Sequence, residues 1–395
     1  MSQQDNGRGI KRRLRNTKMD ERPDTSEVSE VPSQPSRTQS VSRTVSRTTS
    51  RAVSRSASRA SDACHLSKAD HTVEVAAPQK STDFVRFVDL FCGIGAFHIA
   101  TKRVDPLSHA VFACDTSENA REVYRSNFGG VPEGDVRSQQ SLPAHDILFA
   151  GFPCQSFSII GKMQGFEDAN NGDLFFEVAR LLKVCRPALF VLENVKKLIT
   201  HDGGRTMQTM VETLQSIGYH VTFQLLNALD YGLPQLRQRV FIVGMVDKAV
   251  FDRFRWPDTY RERATLESLL DPIEAGAQYN ASERVVEMSR TRAGEDAMRY
   301  PGRRTIWYTC KSGKTSVRDY SRTLRSEPSY NYLLVDGLRR PTEGEMLRLQ
   351  GFPSSFDMSY AKSYTAKRHL LGNTIPVPVA EAVVRSLLEA RKCAV

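Results

Sequence analysis

Three short runs carry side chains whose types suit covalent chemistry on a flat, electron-poor ring. The first is GFPCQSFS, where Cys154 follows Pro153 and is flanked by polar Gln155, Ser156 and Ser158. A cysteine is by default a small buried hydrophobe. Polar neighbours suit an accessible thiol instead, and the thiolate is the nucleophilic form. The second run is LENV, which carries Glu193. A carboxylic acid beside a thiolate can donate to a ring nitrogen and stabilise the charge that builds up as sulfur adds to carbon. The third is PQLRQR, with Arg237 and Arg239 just before an apolar stretch. Strand alternation would aim both the same way, one toward an exocyclic oxygen and the other toward a phosphate. Ordinary edge arginines are the plain alternative.

These runs sit at the ends of candidate strands. Short apolar segments fall at 84–91, 110–115, 146–151, 188–193, 220–226 and 240–245, with helix-like stretches at 118–126, 174–185 and 206–217 between them. Alternating β and α at this spacing predicts an α/β fold with a parallel, doubly wound sheet. Ligands in such sheets lie beyond the carboxyl ends of the strands, which is where Cys154 and Glu193 fall. The pattern changes near Asp247, after which the chain is rich in Arg, Gly, Tyr and Ser. Helical character returns at 342–350 and 376–391. The expected organisation is therefore a tail over 1–80, an α/β domain over 81–246, a small domain over 247–340 and a returning segment over 341–395.

The first candidate strand runs into FVDLFCGIGAF, which places Phe91, Gly93 and Gly95 in a tight turn. Glycine lets backbone approach a ligand there. Asp115, followed by Thr116, ends the second strand and could accept from ribose hydroxyls. Asp135, followed by Val136, could face an adenine amine. His98 occupies the third glycine position of the dinucleotide fingerprint, which disfavours NAD. A ligand with ribose and adenine but no pyrophosphate, such as S-adenosylmethionine, fits the reduced glycine demand.

Composition narrows the partners. The 395 residues carry a formal net charge of +10, which favours an acidic partner such as nucleic acid. The seven cysteines are scattered with no CxxC pair, which argues against a disulfide framework or a structural zinc site and predicts no metal. No stretch of 18 apolar residues suggests a membrane span. From Ser42 to Arg59 a Ser-Arg pair recurs with a period of four, and no acidic residue lies between Ser36 and Ser61. The tail reads as a solvated basic arm that holds phosphates without reading sequence.

Taken together, the motifs and their order resemble those of the cytosine-5 DNA methyltransferases, especially the compact bacterial enzymes. DLFCGIG resembles the family's S-adenosylmethionine loop, GFPCQSFS its nucleophile motif and ENV its glutamate motif. QLRQR is similar to QxRxR, RLQGFP and GNTIPVPV to the last two motifs, and Thr323-Leu324 to the short recognition signature. The resemblance covers about Phe84 to the C-terminus. It implies a Rossmann-like S-adenosylmethionine-dependent domain, a target-recognition domain over 247–340 and a DNA cleft between them. Cys154 would be the nucleophile, Glu193 the contact to N3 of cytosine and Arg239 the contact to its carbonyl. Leu174, Asn373 and Thr374 would border the cofactor together with Phe91, Gly93, Gly95, Asp115, Thr116, Asp135, Val136 and Pro153. Gln155, Ser158 and Thr323 would face DNA, and Gln235 and Arg237 would support the loop or DNA. Asp115, Thr116 and Ala96 depart from the residues most relatives carry.

The implied reaction is transfer of a methyl group to C5 of a flipped-out cytosine in duplex DNA by a monomer. The Ser-Arg tail suggests a nucleus if the host is eukaryotic, and otherwise the cytoplasm. Two alternatives stay open: a transfer-RNA cytosine methyltransferase, whose usual PPCQ and Cys-Phe-Thr signatures do not occur here, and a non-catalytic DNA-binding regulator.

Overall fold

Strand and helix alternate as the apolar pattern predicts, and the order is β1 (Arg86–Leu90), α1 (Ala96–Val104), β2 (His109–Cys114), α2 (Glu118–Phe128), β3 (Ile147–Ala150), α3 (Leu174–Cys185), β4 (Leu189–Val195), α4 (Arg205–Ser216), β5 (His220–Asn227), β6 (Gln235–Leu236) and β7 (Gln238–Met245). There follow α5 (Lys248–Arg253), α6 (Glu283–Ala293), β8 (Ile306–Thr309), β9 (Thr315–Arg318), β10 (Ser321–Arg322), β11 (Leu333–Val335), α7 (Glu343–Leu349), α8 (Tyr364–Asn373) and α9 (Val377–Lys392). The computed structural model describes residues 84–130, 132–153, 174–259, 262–272, 276–326 and 332–392. All of these belong to one compact unit. The Ser-Arg tail and the segment holding Cys154, Gln155 and Ser158 lie outside the described residues.

A six-stranded sheet of order β2-β1-β3-β4-β7-β5 forms the centre. Its inner strands are buried on both faces, so successive side chains feed two cores. Phe87, Ile147, Phe149, Val191, Phe241 and Val243 pack toward α1 and α9. Their neighbours Val88, Leu148, Phe190, Leu192, Val240 and Ile242 pack toward α3 and α4. This is the doubly wound arrangement that near-continuous apolar strands require.

One expectation is corrected. The sheet is mixed, not parallel, because β7 runs antiparallel to both β4 and β5. The cause is the short link from β5, which passes through a single turn of 3-10 helix at Ala228–Tyr231 and β6. A parallel return needs a crossover of a dozen or more residues, usually a helix, and this link is shorter.

Beyond β7 a smaller assembly forms. β11, β8 and β9 make an antiparallel three-stranded sheet. Ala293 of α6 joins Trp307, Val317 and Leu334 in a separate apolar cluster there. β10 leaves that neighbourhood to pair in parallel with β6, matching Ser321 to Gln235 and Arg322 to Leu236. The segment after β7 is thus stitched directly to the QLRQR run.

Candidate active site and cofactor pocket

Glu193 occupies the carboxyl end of β4 and Arg239 the start of β7. The antiparallel register sets Arg239 opposite Val195, diagonal to Glu193 on the same face. Arg239 Nε lies 3.1 Å from Glu193 Oε1. Glu193 is only 7% exposed. Burial raises its pKa despite the opposing pull of Arg239 and then Arg237. Burial likewise lowers the pKa of Arg239 against the attraction of Glu193. Desolvation therefore outweighs pairing at both ends, and the carboxyl holds a proton more readily than a free glutamate does.

Residues 151–153, which lead to Cys154 in the chain, lie beside this pair. An ideal Cβ on Gly151 would stand 3.5 Å from Glu193 Oε2. Asn194 Nδ2 donates to the Phe152 carbonyl at 2.9 Å. The ENV motif thus pairs a carboxyl with Arg239 through one residue and holds the Phe152 carbonyl with the next. Pro153 follows, exposed, and Cys154 comes directly after it in the chain.

Gln235 and Arg237 are elsewhere than expected. They are 0% and 1% exposed, so no surface remains for DNA. Gln235 Nε2 donates to the Leu349 carbonyl at 2.8 Å, and its Oε1 accepts from Leu324 N at 3.1 Å. Arg237 Nη1 donates to Leu324 O at 2.9 Å, while Nη2 donates to Gly372 O at 2.9 Å and Thr374 O at 2.6 Å. The alternation argument failed because Arg237 lies between β6 and β7, outside either strand. Thr323, in turn, donates its hydroxyl to the Leu236 carbonyl at 2.7 Å. These three side chains knit the segments around Leu324, Leu349 and Gly372 to the central sheet.

Of the expected cofactor residues, Asp115 meets the glycine turn directly. Asp115 Oδ2 accepts from Gly93 N at 2.9 Å, and its Oδ1 accepts from Ser117 N at 2.8 Å. Burial nonetheless raises the Asp115 pKa. Phe91 holds φ at 55°, a left-handed conformation that costs a non-glycine residue about 1–3 kcal/mol. Phe91, Val136 and Leu174 pack on the same apolar cluster. At Gly93 no atom lies within 4 Å of an ideal Cβ, so the turn leaves the room of a side chain open. Gly95 has φ 84°, and a Cβ there would meet the Phe128 ring at 2.3 Å. Apolar walls for a purine, an anchored acidic acceptor for ribose and an open glycine turn fit S-adenosylmethionine. Thr116 is exposed, as is Asn373, whose Nδ2 lies 3.1 Å from His369 Nε2. Asp135 is drawn into an ion pair with Arg137, which lowers its pKa.

Sequence reading passed over Asp89, in the middle of β1. It is 1% exposed, and its Oδ2 has no hydrogen-bond partner among the described residues. Burial, reinforced by Asp115, holds its carboxyl well above the usual range. An acid in a strand buried on both faces was the signal that could have found it.

His98, at the missing third glycine, has a packing role. Its ring stacks on Phe128 at 3.9 Å and its Nδ1 lies 2.7 Å from the Tyr124 hydroxyl. Burial, then Lys102, pushes its pKa down to about 4. The fold keeps this imidazole neutral, so the unfolded chain binds the extra proton. The stabilisation is complete above about pH 6.5 and is lost as pH falls toward 4. We expect an acid destabilisation on the order of 3 kcal/mol across that window. Urea midpoints measured from pH 7 to pH 4 should show it, and His98→Gln should flatten the dependence.

The sequence matches the profile of the C-5 cytosine-specific DNA methylases over residues 85–389. The chain belongs to that family. The methylase is 43% identical over 298 residues to the type II methyltransferase M.NgoBI of Neisseria gonorrhoeae, covering 75% of this chain and 90% of that one. It is 39% identical over 305 residues to M.HaeII of Haemophilus aegyptius, covering 77% and 92%. Its fold matches the solved structure of the Entamoeba histolytica methyltransferase EhMeth, with a TM-score of 0.57 at 17% identity, over 78% of this chain and 99% of that one. The methylase is accordingly an S-adenosylmethionine-dependent DNA (cytosine-5) methyltransferase.

Proposed function

We propose that the methylase acts on a cytosine turned out of duplex DNA, with Cys154 as the nucleophile. The observation that carries this reading is the buried Glu193–Arg239 pair, set against the start of the loop that leads to Cys154. Cytosine C5 is too weak a nucleophile to take a methyl group directly. Addition of the Cys154 thiolate at C6 forms an S–C6 bond and pushes the ring electrons toward C5. Glu193, in its protonated form, donates to N3 as charge builds there, and Arg239 donates to the carbonyl oxygen. When bound, S-adenosylmethionine supplies the electrophilic methyl group that C5 accepts. Loss of the C5 proton to a base and rupture of the S–C6 bond return the thiolate and release methylcytosine. The target must leave the stack for this geometry to be reached.

Residues 247–340 serve target recognition in this reading, and one chain supplies every group named, so a monomer suffices. The two sequence relatives named above are bacterial, and they lend no support to the nucleus suggested by the Ser-Arg tail. In a bacterial host the enzyme would meet its DNA in the cytoplasm. No helix among the described residues is long and apolar enough to cross a membrane.

The test is transfer of labelled methyl groups to duplex DNA and to transfer RNA. Duplex DNA should be the acceptor. Glu193→Gln, which keeps the shape but removes the titratable acid, should lower kcat by on the order of 10²–10⁴. Full activity in that variant, or transfer to transfer RNA alone, would overturn the assignment.

A further inference from the structure

Next to the Glu193–Arg239 pair opens a cavity of about 320 Å³. Lys196 and Lys197, just past β4, line one part of it, together with Arg239. Tyr308, Arg322 and Arg325 of the recognition segment line another. None of the described residues that line it is acidic. Arg239 has its ionic partner in Glu193. Lys196, by contrast, donates only to the neutral Gln238 Oε1, at 2.9 Å. Lys197, Arg322 and Arg325 form no ion pair with a described residue. Four cations thus share a cavity with no counter-charge among the described residues, which favours an anionic occupant.

The two arginines are also oriented. The Arg322 guanidinium lies 5.1 Å from the centre of the Tyr308 ring and that of Arg325 lies 5.5 Å from it. Arg325 also donates to the Tyr308 hydroxyl. Stacking on an aromatic face holds a guanidinium while leaving N–H edges for an acceptor. Thr323, between them, cannot donate the same way, since its hydroxyl proton goes to Leu236 O. The Thr-Leu signature is a stitch, and the arginines flanking it are the groups presented to the cavity.

We propose that Arg322 and Arg325, held on Tyr308 and assisted by Lys196 and Lys197, seat the phosphodiester flanking the extruded cytosine. The proposal rests on the DNA reading above. A nucleotide whose base reaches Arg239 and Glu193 has its own phosphates one sugar away, and this cavity shares Arg239 with that base site. A cluster of cations with no acidic neighbour among the described residues matches the charge of a phosphate, and phosphate contacts fix position without carrying sequence information. The seat therefore positions the target strand and carries no sequence preference.

The test uses the full chain and a duplex containing its target cytosine, with and without a neutral methylphosphonate at the flanking phosphate. The wild type should lose about tenfold in affinity on the modified duplex. The Arg322→Ala/Arg325→Ala variant should lose as much on native DNA, but nothing further on the modified duplex. Its plot of log affinity against log salt should be shallower by about 1. Lys197→Ala, at an exposed position that leaves folding undisturbed, should show the same lack of additivity. Bisulfite sequencing of DNA methylated by each variant should return the wild-type site. Additive losses, or an altered site, would overturn the seat and make these arginines base readers. A wild type that binds no duplex would instead overturn the reading on which the seat rests.

Discussion

Duplex DNA carrying 5-fluorocytosine at the target should trap the enzyme covalently, and Cys154→Ala should form no adduct. Fluorine at C5 cannot leave as a proton, so the reaction halts after methyl transfer with the S–C6 bond intact. Removing the sulfur removes the only route by which C5 becomes nucleophilic in this scheme. Methyl transfer should then fall by at least about 10⁴-fold, the range seen when a covalent nucleophile is deleted. The variant should still bind cofactor and DNA, because the glycine turn, the Glu193–Arg239 pair and the basic cavity are untouched. Denaturing gels report the adduct, and scintillation counting of DNA reports turnover. A variant that still methylates would show that another group attacks the ring.

Arg237→Met should behave as a folding variant, not as a binding variant. Its guanidinium is fully buried and donates to three carbonyls from two distant segments, Leu324 on one side and Gly372 and Thr374 on the other. Methionine fills much of the volume but leaves those carbonyls without donors. Each buried orphan costs about 1–3 kcal/mol, and a loss of about 3–5 kcal/mol overall is expected. Lysine should rescue only part, since a point charge does not span the planar fork. The same seam explains Gly372. An ideal Cβ there would stand 2.3 Å from Ser326 N and 2.4 Å from the Arg325 carbonyl carbon, so only glycine lets the two backbones meet. The urea midpoint is the decisive measurement. Unchanged stability with a selective loss of DNA affinity would return Arg237 to the DNA surface.

The legible parts of this protein were those that local chemistry dictates. The apolar runs announced the strands of the central sheet, because strands buried on both faces must be apolar nearly throughout. The sequence alone also marked the glutamate near a strand end and the glycine turn with its acidic partner, because an ionisable group in an apolar strand and a glycine at positive φ each stand out locally. The reversed direction of β7 was less visible, since strand sense depends on the length and path of the connection more than on the strand itself. Two arginines separated by one residue look equivalent in a sequence. Only the tertiary structure separated them, giving Arg239 a carboxylate in the site and Arg237 three carbonyls in a seam. The same holds for Thr323, whose hydroxyl faces Leu236, and for the cations brought around Tyr308 from segments more than a hundred residues apart. Residue chemistry is local and can be read in order along a chain. Which partner a hydrogen-bonding group finds depends on which distant backbone arrives beside it, and packing alone decides that.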